Sequence, residues 1–298
     1  MTMTYPRGEG SAAAGRPVSR ALGELRIATA SLLRQPGLLL ASIVLATVLS
    51  AALFPQIFTP LNPLRGSGAA RLLAPSAAHW FGTDQLGRDL LTRVVYGTGE
   101  SVKAVAVAVM VGLVLGSVIG LLAGYVGRWV DDILMRVMDV LLAVPTLLIS
   151  LAIINALGFG TFNIAIAVGI GSVASFARVM RSEVLKVRQM PYVEAASFAG
   201  IGPLRTLIRH VLPNAAGPVL VLATLELGMA ILSVSALSFL GFGAPPPAPE
   251  WGLLVAGGRD YMATAWWLTT LPGLVIAITV LSANRVARAL DRRHAATF

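Results

Sequence analysis

The amino-acid sequence predicts an all-α integral membrane protein with six transmembrane helices and both termini in the cytoplasm. Three observations lead there. Only 12% of the 298 residues are charged and 56% are hydrophobic, whereas a soluble domain carries roughly 25% charged residues, so lipid is the solvent for much of the chain. The apolar residues gather into six blocks, each able to cross a hydrocarbon core about 30 Å thick, which takes roughly 20 residues at about 1.5 Å each. The 23 Lys and Arg residues are shared unevenly between the segments that join the blocks. Cysteine is absent, which excludes disulfides, thiolate metal sites and a cysteine nucleophile.

In order, the spans are expected at Gly37 to Phe58, Val102 to Tyr125, Ile133 to Leu157, Ile164 to Met180, Pro218 to Leu240 and Leu268 to Val286. The fourth is the shortest. The first reads as a permanent anchor rather than a cleaved signal peptide, because a tail of residues 1–36 precedes it and no small-residue cleavage site follows. With this arrangement 17 basic residues fall on the side of the termini and six on the other (Arg65, Arg71, Arg88, Arg93, Lys103 and Arg259). Basic residues stay on the cytoplasmic side, so the net charge of +9 marks membrane orientation rather than nucleic-acid binding. The chain thus divides into a cytoplasmic tail (1–36), a first transmembrane helix (37–58), an external segment (59–101), a five-helix core (102–290) and a C-terminal tail (291–298). Within the core, residues 181–214 form a cytoplasmic loop.

The external segment contains "FGTDQLGRDLLTRVVYG". Thr83 or Asp84 as N-cap, Asp84 with Arg88 and Asp89 with Arg93 at i,i+4, and Leu86, Leu90 and Val94 on one face predict a short amphipathic helix leading into span two. Glycines at 112, 116, 120 and 124 put a smooth stripe on span two, for packing either within the chain or against a second subunit. Pro145 predicts a kink in span three. Arg136 and Asp139, at i,i+3, predict an ion pair, and Asp131 and Asp132 a solvated helix start. The last external segment opens with prolines that forbid regular helix and ends in Trp266 and Trp267, suited to an interfacial belt.

The cytoplasmic loop, "EAASFAGIGPLRTLIRHVLPN" from Glu194 to Asn214, is basic and punctuated by Gly and Pro. Pro191 starts one short helix with Glu194 at its positive end, and Gly200 and Gly202 interrupt it. Pro203 restarts a helix with Leu204, Leu207, Ile208 and Val211 on its apolar face and Arg205, Arg209 and His210 on its polar face. Pro213 and Asn214 then turn the chain toward span five. From pattern alone the loop is either an interfacial helix lying on the lipid or a docking element.

The order Glu194, Ala195, Ala196, three residues, Gly200 and then Leu212 and Pro213 resembles the EAA loop of permease subunits of bacterial ABC importers. His210 stands where that family often has Ile, and the run Arg209 to Asn214 matches the form common in the peptide-importer branch. "FGTDQLGRDLLTRVVYG" and "LSFLGFGAPPPAPEWGLLVAGGRDYM" resemble the corresponding segments of C-type permeases of dipeptide, oligopeptide and nickel importers, and the ending "SANRVARALDRR" departs from the Gly-Asp-containing form of the family. The resemblance implies the type I ABC importer permease fold in the inner membrane of a bacterium. It also implies a homologous second permease subunit, two cytoplasmic ATPase subunits and an external substrate-binding protein as partners. Glu194 and Gly200 would carry docking and bend, and the cargo would be a di- or oligopeptide, a nickel chelate, glutathione or haem. The chain itself calls for no cofactor: a Gly-x-x-x-x-Gly-Lys phosphate loop is missing and "GTGES" at Gly97 lacks the lysine. ATP and Mg therefore belong to the partners.

Glu226, near the middle of span five, either lines a substrate path or interhelical contact or sits neutral and hydrogen-bonded in the bundle. His79, His210 and His294 are too scattered for a metal cluster, and His79 reads as an exposed loop residue. An intramembrane hydrolase would need a nucleophile with a base on a neighbouring span, and no Gly-x-Ser-Gly is present. An ATP-independent channel or secondary transporter would call for more intramembrane charge than Glu226 offers.

Overall fold

The computed structural model describes residues 35–295. The expected N-terminal tail therefore lies almost entirely outside the described residues. Among those residues the regular secondary structure is helical apart from one antiparallel bridge, Thr83 to Asp89, and residues 59–89 are mostly turns and irregular chain. Five helices are long and apolar enough to cross a membrane: α1 (Pro36–Leu53), α2 (Leu90–Val126), α5 (Thr161–Arg188), α7 (Pro203–Phe242) and α9 (Trp267–Ala295). A bent pair, α3 (Arg128–Ala143) and α4 (Thr146–Leu157), is long and apolar enough for a sixth crossing when its halves are taken together, and short helices include α6 (Pro191–Phe198), α8 (Trp251–Gly258) and the single turn Pro55–Phe58. Gly37 at the start of α1 lies against the Arg285 guanidinium in the C-terminal half of α9, so α1 begins on the side where α9 ends, the side that the basic residues assign to the cytoplasm.

The core is the packing of α2 on α5. Gly112, Gly116, Gly120 and Gly124 face Gly169, Val173, Phe176, Ala177, Met180 and Val184, so close that a Cβ on Gly116 would collide with the Phe176 Cβ and one on Gly120 with the Ala177 carbonyl. The glycine stripe is thus used within the chain. Ridges without side chains let two helix backbones approach, and in lipid this close dispersion contact replaces the hydrophobic drive that water would supply.

Several expectations are corrected by the tertiary structure. Span three is broken rather than kinked, with its halves at 97°. Val144, forced by the following Pro145 into extended conformation, has φ −95° and ψ 131°. Neither half crosses alone, since α4 has 12 residues and rises only about 18 Å. Asp139 pairs with Arg178 of α5 at 2.6 Å, not with Arg136, and Asp131 is no solvated helix start but grips Arg181 through both its oxygens. Span four is not short: α5 runs for 28 residues. The C-terminal tail expected from residue 291 continues α9 as helix to Ala295.

No separate amphipathic helix precedes span two. Asp84 closes a tight turn around Gly87 (φ +71°), accepting from the Leu86 and Arg88 amides at 2.9 Å and from Arg88 Nε at 2.6 Å. Asp89, not Thr83 or Asp84, is the N-cap, its carboxylate accepting the Thr92 amide at 2.7 Å. From there α2 continues unbroken for 37 residues, about 55 Å, so its first turns stand clear of the lipid. Leu86 is exposed while Leu90 and Val94 are buried. His79 is no free loop residue: its Nδ1 lies 2.9 Å from Asp89 Oδ2.

The last external segment caps this end. After the prolines, Glu250 starts α8 by accepting the Gly252 and Leu253 amides at 3.0 and 3.1 Å. Burial pushes the Glu250 carboxyl up, and the hydrogen bonds from these amides and Ser101 oppose it. Trp251 Nε1 donates to the Val94 carbonyl at 3.1 Å, and Gly97 admits the Pro249 carbonyl where a Cβ would block it. Of the two tryptophans expected in an interfacial belt, Trp266 is exposed, but Trp267 is buried and donates to the Thr83 carbonyl at 3.3 Å.

Candidate coupling loop and membrane cavity

The cytoplasmic loop is built from α6, a two-glycine bend and the first turns of α7. Gly200 ends α6 with φ +78° and open space where a Cβ would point, so glycine is required there by backbone conformation, not packing. The Ile201 amide then closes on the Ala196 carbonyl at 3.1 Å. Past Gly202, Pro203 sits at the first turn of α7, and no turn follows at Pro213 and Asn214: the helix runs from Pro203 to Phe242 without leaving for the membrane at a corner. Pro213 has no N–H, and residues Leu207–Val211 widen into a π-turn just before it, with the Leu212 amide reaching the Leu207 carbonyl. This accommodates the proline without breaking the rod.

Side chains clasp this loop to the bundle. Tyr125, at the end of α2, donates its hydroxyl to the Pro203 carbonyl at 2.7 Å, and Arg188, at the end of α5, donates to the Tyr125 carbonyl at 3.0 Å. Val193, Ala196, Leu207 and Val211 are buried. The helix face expected to be uniformly apolar is therefore divided: Leu207 and Val211 enter the core, while Leu204 and Ile208 remain 68% and 57% exposed and Phe198 is 90% exposed. Glu194 and Ala195 are exposed beside them, and His210 is half-buried with its carbonyl accepting from Asn214 at 2.7 Å. Two adjoining depressions result, one bordered by Glu194, Phe198, Tyr125 and Arg188, the other by Leu204, Ile208, Arg209 and Pro213, with Pro203 on both rims. Leu212 is half-buried at the head of the transmembrane part of α7. The residues named from the sequence are brought onto one step, with Ala196 buried and Leu212 half-buried beneath it. Tyr125 and Phe198 were not singled out: the tyrosine ends a glycine-striped helix with no partner visible in sequence, and the exposure of Phe198 follows only from the bend at Gly200.

Glu226 does not lie near this loop. It borders a cavity of about 130 Å³ between α2, α4, α5 and α7, whose polar wall is Thr146, Ser150, Ser172, Ser175 and Ser233. Ser150 and Ser172 donate their hydroxyl protons to the carbonyls of Ala167 and Gly169, at 3.3 and 2.9 Å, which leaves oxygen lone pairs available as acceptors. Among the described residues no three His, Asp or Glu side chains are grouped to hold a metal ion.

Residues 116–295 match the family model described as the binding-protein-dependent transport system inner membrane component. The chain belongs to this family. Similar curated proteins include the dipeptide transport system permease protein DppC of Alkalihalophilus pseudofirmus, 38% identical over 83% of this chain and 82% of that protein. The glutathione transport system permease protein GsiD of Pectobacterium atrosepticum is 38% identical over 85% and 84% of the two chains. Among solved structures, the MetNI methionine ABC transporter in inward-facing conformations covers 67% of this permease and 97% of that chain with a TM-score of 0.54 at 16% identity. The shared architecture is thus that of ABC transporter membrane subunits, and the permease is a multi-pass, non-catalytic component of the inner membrane.

Proposed function

We propose that this permease is the C-type subunit of an ABC importer for di- or oligopeptides. It pairs with a homologous second permease and works with two cytoplasmic ATPases, which supply ATP and Mg, and an external substrate-binding protein. The observation that carries the coupling is the exposed Phe198, Leu204 and Ile208 cluster beside Glu194, on a step clasped by Tyr125 to α2 and continuous with α7. Apolar side chains held rigidly in an aqueous compartment fit a protein groove rather than water. A helix of 40 residues that begins at this step carries a displacement of the loop directly into the membrane.

The cavity beside Glu226 supports the peptide assignment, because its serine oxygens and carboxyl are acceptors and a peptide brings N–H donors and an amino terminus. The names of the similar permeases, which include dipeptide and glutathione systems, point the same way. The test is ATP-driven uptake of a labelled dipeptide by the complete complex in proteoliposomes, with longer peptides and glutathione as competitors. Uptake without ATP would return the channel or secondary-transporter reading. Glu226→Leu is expected to lower uptake about tenfold, the value of one lost hydrogen bond to a charged donor, with ATP hydrolysis retained; Glu226→Gln, which keeps an acceptor, is expected to lose less. Unchanged uptake in Glu226→Leu would remove Glu226 from the path.

A further inference from the structure

At the external end of α2, two guanidinium groups converge on one carboxylate oxygen: Arg88 Nε lies 2.6 Å and Arg93 Nε 3.7 Å from Asp84 Oδ2. All three side chains are more than nine-tenths buried. Arg88 has a well-formed hydrogen bond to that oxygen, but Arg93 does not. Among the described residues its one hydrogen bond is a long one, from Nη2 to the Pro247 carbonyl at 3.4 Å, and its Nε and Nη1 are buried without a hydrogen-bond partner. A guanidinium stays charged at any physiological pH, and a buried charge with unsatisfied donors is among the costliest features a fold can hold. Beside it is a cavity of about 90 Å³, whose lining includes Asp84, Gln85, Arg88 and Arg93 together with Leu253, Leu254 and Leu268.

We propose that this cavity is a binding site for a small monovalent anion of chloride size, held by Arg93. Two cations and one anion leave a net charge of +1 in a buried place. Water filling the cavity would satisfy the N–H groups and leave that charge, whereas a halide does both. The site also limits size. Two orphaned N–H groups satisfy a monatomic anion, while a tetrahedral oxyanion would bring more acceptor oxygens than these two groups can satisfy into a cavity of about 90 Å³. Bound there, the anion joins three segments: the turn at Gly87, the head of α2 and the proline loop leading to α8. It acts as a staple for the external end, independent of the cargo and of the coupling loop.

The test uses the complete transporter complex. Crystals grown in bromide are expected to show an anomalous peak in the cavity within hydrogen-bonding distance of Arg93. In solution at constant ionic strength, replacing gluconate, too large to enter, by chloride is expected to raise the unfolding temperature by about 3 °C, as mass-action binding to the folded state requires. Arg93→Gln is expected to abolish that difference. Absence of a bromide peak, or a chloride effect that persists in Arg93→Gln, overturns the proposal and leaves a water-filled cavity. Should Arg93→Gln fail to assemble, the bromide peak in the unaltered protein still decides.

Discussion

Phe198→Asp and Leu204→Asp, each introduced into the complete complex, are expected to lower ATP-driven uptake at least about 30-fold while the permease remains in the membrane at its normal level. Both side chains point into solvent, at 90% and 68% exposure, so neither substitution disturbs the bundle. In the ATPase groove proposed above, however, each would become a desolvated carboxylate in an apolar contact. Removing an anchoring side chain at the centre of an interface commonly costs 2 kcal/mol or more, so uptake falls at least about 30-fold. The ATPase subunits are expected to be lost on purification, and Glu194→Arg to act in the same direction by reversing the charge on the rim. Co-purification and uptake measured side by side check this. If the ATPases stay bound and uptake survives, the exposed cluster faces lipid headgroups and the coupling contact lies elsewhere.

Gly116→Leu is expected to prevent the permease from accumulating in the membrane. A first added carbon already meets the Phe176 Cβ, and the Val173 carbonyl lies 2.6 Å away. A leucine would have to push α2 off α5, and no side-chain rotation relieves a collision with backbone. Overpacking a well-filled core costs about 1–3 kcal/mol when side chains can yield, and more is expected here. Gly116→Ala is expected to lower the level of folded protein as well. The control is Gly273→Ala on α9, where the added carbon meets nothing within 4 Å and helix propensity favours alanine. Immunoblots of membranes and the unfolding temperature of the purified complex read both. A Gly116→Leu chain that accumulates normally would show that the α2 to α5 contact is not the core of the fold.

The spans and the loop were legible for a simple reason. Lipid cannot hydrogen-bond a backbone, so each crossing must be a long apolar helix, and such a block is visible residue by residue. Glu194, Ala195, Ala196 and Gly200 stand out in the sequence through their resemblance to the EAA loop of ABC-importer permeases, since pattern alone leaves the loop either on the lipid or docked; the positive φ of Gly200 then gives the physical reason for glycine at that bend. Chain continuity was not legible in the same way. Pro213 reads as a stop, yet a π-turn absorbs it and α7 continues; Pro145 reads as a kink, yet the chain turns by 97°. A proline removes one hydrogen bond in either case, and whether the helix recovers depends on what packs around it.

Ion-pair partners show the same division. Spacing along one helix suggested Arg136 with Asp139 and Asp89 with Arg93, but Asp139 meets Arg178 and Asp89 meets His79, each from a separate element. The number of crossings, their orientation and the position of the loop followed from local composition, because hydropathy and charge act on each segment separately. The pairing of the glycine stripe with α5, the exposure of Phe198, the clasp by Tyr125 and the stranded charge of Arg93 arise from contacts between residues far apart in the chain. Only the folded backbone, which sets which helix faces meet, decides those.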